Sequence, residues 1–299
     1  MPSASAAPSS HREREPWWLL AIVIPLAIVA VLASVPVLRR ALGLPDFNYD
    51  TETPQMLVAG IPIGVVVLVA LLLVVRWSRT VAQGPRTRWT TPVWLAVGLY
   101  LLFGVVTFAT TARGGGSLDV TLLAGVLVAC LLVGANEELA FRGLSLNGFA
   151  RRLPVFWAVL ASSLLFGVAH TVNLLSGSEP ALVARQVVFA TCGGLLFGWV
   201  YVFSGRNLWL VALVHGLHDF FVVAPMTVAG SVVSTAGGID AVMNWASGWV
   251  TSMVSVGLPL ALTYWGWHDY RGASLQEALG LVAPAETDAA PAAAEAPGV

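Results

Sequence analysis

Long apolar runs, separated by short segments rich in Arg, Gly and Pro, make up most of the chain. Eight of them approach the ~20 residues that a helix needs to cross a bilayer: Trp17 to Leu38, Met56 to Trp77, Pro92 to Ala112, Asp119 to Arg142 or beyond, Pro154 to Leu175, Pro180 to Ser204, Asn207 to Met226 and Asn244 to Trp267. Of the 12 tryptophans, all but Trp199 fall near an end of one of these runs. An amphipathic indole favours that position, because it places the ring at headgroup level. Lipid offers the backbone no hydrogen bonds, so each run satisfies its own polar groups as a helix. The pattern predicts an all-α, polytopic membrane bundle of about eight transmembrane helices.

The ends of the chain differ from its middle. Residues 1–15 are Ser, Ala and Pro followed by mixed charge, and residues 273–299 are rich in Ala, Pro and Glu. Neither stretch can bury a core. They are expected to be a disordered N-terminus and a flexible tail, flanking a membrane-embedded domain over 16–272. A cleavable signal peptide is the competing reading of the first run, with Val31 and Ala33 as a small-residue cleavage site, but about 22 apolar residues is long for such a segment. No internal repeat supports an inverted-repeat transporter.

Composition then excludes several functions. The chain is 57% hydrophobic and 10% charged, with a net charge of −1, which rules out a basic nucleic-acid binder. Cys130 and Cys192 both lie within apolar runs and cannot form the framework of a secreted disulfide scaffold. All 15 basic residues are Arg, so lysine Schiff-base chemistry and a Walker-type phosphate site are absent. With the N-terminus inside, ten arginines fall on inner segments (12, 14, 76, 79, 86, 88, 151, 152, 206 and 271) and four on outer ones (39, 40, 113 and 185). The positive-inside rule then predicts a multi-pass protein of the cytoplasmic membrane with both termini cytoplasmic.

Ionisable groups within spans are costly and therefore informative, each about 2.5–3.5 kcal/mol at a helix centre. They cluster in three places: Asn136-Glu137-Glu138-Leu139-Ala140-Phe141-Arg142, Phe166-Gly167-Val168-Ala169-His170, and His215-Gly216-Leu217-His218-Asp219. Glu138 and Arg142 are four apart and share a helix face, so they can pair. Glu137 is rotated about 100° from that pair and stays free to take a proton as a general base. His215 and Asp219 also share a face. Asp219 can accept from His215 and fix its tautomer, the arrangement of a held oxyanion stabiliser, and one of His215 and His218 is spare. At 1.5 Å per residue, Glu137 lies about 21 Å before Arg151, His170 about 24 Å after Pro154, and Asp219 about 20 Å after Arg206. The three clusters come out level if the helices are straight, although Gly143 and Gly148 leave open where the fourth helix ends.

The series EExxxR, FxxxH and HxxxD/N on successive spans resembles the CPBP family, which includes the CAAX prenyl proteases and bacteriocin-processing proteins. The resemblance covers roughly Leu118 to Phe221, inside a motif-bearing core of 118–226. It implies a glutamate-dependent intramembrane endopeptidase acting on a membrane-associated or prenylated-type peptide or protein substrate, with the lipid bilayer as its other partner. Glu137 would be the base, His170 would help hold the water, and His215 with Asp219 would line the oxyanion site. Glu138 and Arg142 would support them, and Phe166 would pack against His170. No cofactor is expected. Glu137, His170 and His215 would be the ligands if Zn²⁺ were used, but no single helix carries the H-E-x-x-H arrangement that puts two ligands on one face. Family members commonly have Asn where this chain has Asp219. An ionised Asp only accepts hydrogen bonds, so Asp219 is either protonated or acts by orienting His215.

Other readings remain at this stage. Buried Glu, Arg and His can join helices without chemistry, and membrane chains of Glu, Asp and His also carry protons in transporters. A non-catalytic immunity or scaffold protein is the third alternative. Three further ionisable groups at the level of one salt bridge favour the enzyme.

Overall fold

The computed structural model describes residues 19–20, 22–30, 41–43, 60–73, 90–111, 119–175, 178–228 and 253–278. Among these every regular element is helical. In chain order they are α1 (22–30), α2 (Gly60–Leu73), α3 (Thr91–Thr111), α4 (Val120–Phe149), α5 (Val155–Ala169, prolonged by a 3₁₀ turn over His170–Leu174), α6 (Pro180–Phe203), α7 (Leu208–Val228), α8 (Leu258–Tyr270, after a π turn at Met253–Gly257) and the short α9 (Leu275–Ala278).

Three of these are long and apolar enough to cross a membrane: Val120–Phe149, Val155–Leu174 and Pro180–Phe203. Gly60–Leu73, Thr91–Val106 and Leu208–Ala224 are shorter apolar stretches. The first and last expected spans are described only in part, and the proposed cleavage site at Val31 and Ala33, residues 1–15 and residues 279–299 lie outside the described residues. Large apolar side chains such as Leu102, Val128, Leu164, Val168 and Leu213 face outward and exposed, as a lipid-facing surface requires.

Local sequence explains the helix boundaries. Asp119 caps α4, accepting from the backbone N–H groups of Thr121 and Leu122 at 2.9 and 3.0 Å, and Glu179 does the same for α6 ahead of Pro180. The glycines at 143 and 148 do not end α4. The helix widens into π form over Leu139–Leu146 and runs on to Phe149. The start of the segment expected to be a flexible tail is folded: Ser274 and Glu277 form a reciprocal capping box on α9, and the Val155 N–H donates to the Ala273 carbonyl at 2.9 Å.

α6 is the central post, with every residue from Cys192 to Phe203 buried. Small residues let its neighbours approach it. A Cβ at Gly194 would lie 3.0 Å from Ser163 of α5, one at Gly198 would lie 2.9 Å from Val159, and one at Gly167 would overlap Thr191. The same device joins α4 to α7, which form the most extensive helix pair. A Cβ at Gly134 would fall 2.6 Å from the Ala212 carbonyl and from the Gly216 nitrogen, and one at Gly216 would fall 2.7 Å from Leu131 Cα. Each backbone fills the space that a side chain on the other would need. This crossing positions the polar residues that follow.

Candidate active site

Glu138 lies one turn beyond Gly134 and therefore on the same face of α4, while His215 immediately precedes Gly216 on α7. Backbone contact between the glycines brings the two side chains together. The His215 Nδ1–H donates to Glu138 Oε1 at 2.8 Å, and the same oxygen accepts from Arg142 Nη1 at 2.9 Å. Arg142 Nη2 continues to the Gly194 carbonyl of α6 at 2.8 Å, and its guanidinium lies over the Phe166 ring, 4.8 Å from the centroid. Glu138 and Arg142 have no exposed surface and the His215 side chain is 6% exposed. A charge buried so deeply must be paired and hydrogen-bonded to persist, and this chain of contacts supplies both.

The other edge of the imidazole faces a different environment. Nε2 lies 3.6 Å from Glu137 Oε2 and 3.5 Å from Asp219 Oδ2, beyond direct hydrogen-bond length and within reach of a bridging water or substrate atom. Glu137 and Asp219 are 31% and 28% exposed, so these two carboxylates lie on the open side of the imidazole. Phe197 stacks on the imidazole with centroids 4.5 Å apart, and Phe166 meets its edge at 5.9 Å. His215 is thus fixed by its Nδ1 partner and by two aromatic rings.

The sequence assigned that orienting role to Asp219 and left Glu138 to Arg142. In the structure Glu138 orients His215, because the α4–α7 crossing places it at the buried nitrogen, and Asp219 lies on the open side with Glu137. His218 is the spare histidine. It stacks on Tyr100 of α3 with centroids 4.3 Å apart, and its buried Nδ1 has no hydrogen-bond partner among the described residues.

His170 is half-buried where α5 tightens into its 3₁₀ turn. There its backbone N–H bonds to the Gly167 and Val168 carbonyls, which leaves the Phe166 carbonyl available. The His170 Nδ1–H donates to that carbonyl at 2.9 Å, so the neutral ring presents Nε2 as an acceptor. The Phe166 ring meets His170 edge-on at 4.9 Å, the packing expected of an FxxxH pair. His170 stands within electrostatic range of His215 and Asp219. Among the described residues no three His, Cys, Asp or Glu side chains are grouped to hold a metal ion.

This arrangement of a Glu pair, an Arg and two His on three adjacent helices lies entirely within residues 119–221. That segment matches the family model of the type II CAAX prenyl endopeptidases, Rce1-like. The match covers about a third of the chain and includes Glu137, Glu138, Arg142, Phe166, His170, His215 and Asp219. At family level the match supports a CAAX-type protease domain over that segment. No curated protein and no solved structure matches.

Several contributors to the Rce1-like site were not marked by the motifs. Phe197 and the Gly194 carbonyl come from α6, an apolar helix that carries none of the three clusters. Tyr100 of α3, outside the matched segment, packs edge-on against Phe197 at 5.6 Å. Asn136, beside Glu137, donates to the Gly64 carbonyl of α2 at 3.1 Å. A lone polar residue facing inward on an apolar helix was the available signal for Asn136. Nothing in the local pattern singles out Phe197 or Tyr100.

Proposed function

We propose that the chain is a glutamate-dependent intramembrane endopeptidase that hydrolyses a peptide bond of a membrane-associated substrate. The observation that carries this reading is the division of His215 between two environments: Nδ1 bonded to fully buried Glu138, and Nε2 facing two partly exposed carboxylates. A purely structural ion pair has no use for the second half.

The residues account for each proton. His170 Nε2 accepts one hydrogen bond from a water and leaves its other O–H for Glu137. Glu137 takes that proton as the water oxygen bonds to the scissile carbonyl carbon. The carbonyl π pair moves onto oxygen, and the imidazolium form of His215 donates Nε2–H to the oxyanion while Nδ1–H stays on Glu138. When the C–N bond breaks, the proton held by Glu137 passes to the leaving amine. Glu138 fixes the imidazole and offsets its charge, Arg142 holds Glu138 in place, and Asp219 orients the Nε2–H or, when protonated, donates to the oxyanion itself. No step runs through a metal.

The membrane setting supplies the exclusion of bulk water that strengthens these contacts. We place the chain in the cytoplasmic membrane with eight spans and both termini inside, as the arginine distribution implies. Incubating the purified protein in liposomes with a peptide carried on a lipid anchor, and with the same peptide free in solution, tests the substrate class. Internal cleavage of the anchored peptide supports the reading. Failure to cut either peptide while the protein remains folded contradicts it.

A further inference from the structure

The π segment over Leu139–Leu146 begins at the residue after Glu138, and its backbone carbonyls are bonded in an unusual way. Four consecutive carbonyls each accept from a side chain. Ala140 accepts from Ser145 Oγ at 3.3 Å, and Phe141 accepts from Ser162 Oγ of α5 at 2.7 Å. Arg142 and Gly143 both accept from Asn147 Nδ2, at 2.6 and 3.1 Å. The same Asn147 nitrogen reaches the Tyr201 hydroxyl of α6 at 2.9 Å. Backbone carbonyls loosened from their helical partners inside a membrane require such compensation.

The wider turn has a geometric consequence. In an α-helix, five residues advance by about 500°, so Arg142 and Asn147 would point some 140° apart. With the i→i+5 bonding of a π turn they return to nearly the same face. Both then face α6, Arg142 reaching the Gly194 carbonyl and Asn147 reaching Tyr201, seven residues or two α-turns farther along that helix. A regular α-helix could present only one of the two to α6.

We infer that Asn147 is a positioning residue for the hydrolytic site: it holds the π register in which Arg142 reaches the Gly194 carbonyl while still paired with Glu138, and through Glu138 it fixes His215. Asn147 touches no reacting atom and acts through three hydrogen-bonded groups in series. The inference rests on the endopeptidase reading for its kinetic consequence but not for its structural one.

Two readouts keep those apart. In steady-state cleavage, Asn147→Ala is expected to lower kcat roughly 100-fold with KM little changed, the size of effect that a misplacement of about 1 Å produces. Asn147→Ser can bond back to the Gly143 carbonyl and is expected to recover at least a tenth of wild-type kcat. The second readout needs no activity. In ¹⁵N-histidine-labelled protein in detergent, the Nδ1–H of His215, identified among the five histidines by its loss in His215→Gln, should appear as an exchange-protected downfield resonance. It should shift or broaden in Asn147→Ala and be retained in Asn147→Ser. An unchanged resonance and unchanged kcat in folded Asn147→Ala overturn the inference. An inert wild type whose resonance still responds to Asn147→Ala overturns the endopeptidase reading and supports the positioning role.

Discussion

Gly134 of α4 and Gly216 of α7 meet backbone to backbone, with less than 3 Å available for a Cβ on the Gly134 side. This contact places Glu138 against His215, so the geometry of the proposed active site is set by a packing event one turn away. Replacing either glycine by Ala inserts a methyl against backbone that cannot move aside. Overpacking of this kind costs about 1–3 kcal/mol, and the helices can escape it only by separating. Gly134→Ala and Gly216→Ala are each expected to lower the thermal midpoint and to reduce peptide cleavage at least tenfold. A variant with wild-type activity would show that the crossing does not set the site.

Arg142 and Glu138 make unequal contributions. Removing Arg142 leaves a fully buried carboxylate whose remaining polar partner is His215, and breaking a buried pair in this way costs about 3–5 kcal/mol. Arg142→Ala should therefore fail mainly in folding, seen as loss of monodisperse protein in detergent. Glu138→Gln keeps size and one acceptor but loses the charge that holds the imidazolium. It should fold and lose about 10²–10³-fold in kcat, the range for loss of one oxyanion donor. Equal loss of yield in both variants would place Glu138 in structure alone.

His170 has its tautomer set by the Phe166 carbonyl, which dedicates Nε2 to accepting. His170→Ala should leave the unfolding midpoint near wild type, because the side chain is half-buried and its hydrogen bond is to the Phe166 carbonyl of its own helix. It should lower kcat by about 10²–10⁴-fold. A drop in stability without a kinetic defect would assign His170 to helix packing.

Asp219→Asn replaces an acceptor-only carboxylate with an amide that can donate to an oxyanion. On the present mechanism the variant keeps or raises kcat in peptide cleavage. Complete loss in a folded Asp219→Asn protein would mean that the carboxylate charge itself is required.

Much of this site was legible along the chain because its first contacts are local. The four-residue spacing of Glu138 and Arg142 sufficed to pair them, and that of Phe166 and His170 sufficed to stack them. Counting residues from Arg151, Pro154 and Arg206 put the three clusters at a similar depth on the assumption of straight helices. What the spacing could not supply was tertiary. That His215 meets Glu138 rather than Asp219 through Nδ1 depends on two glycines in different helices. That His215 rather than His218 faces the carboxylates depends on Tyr100 of α3 occupying the other ring. The π register was hidden for a different reason: Gly143 and Gly148 read locally as helix enders, whereas Ser145, Ser162 and Asn147 stabilise a widened helix through them.

The central claim is that Glu137 activates water without a metal. The most direct measurement is cleavage of a broad fluorogenic peptide library by the purified protein in detergent, comparing wild type with Glu137→Ala, each with and without a strong chelator. The account predicts wild-type activity that survives chelation and disappears in Glu137→Ala while the protein stays folded. Activity that is abolished by chelator and restored by Zn²⁺, or that persists in Glu137→Ala, would contradict it.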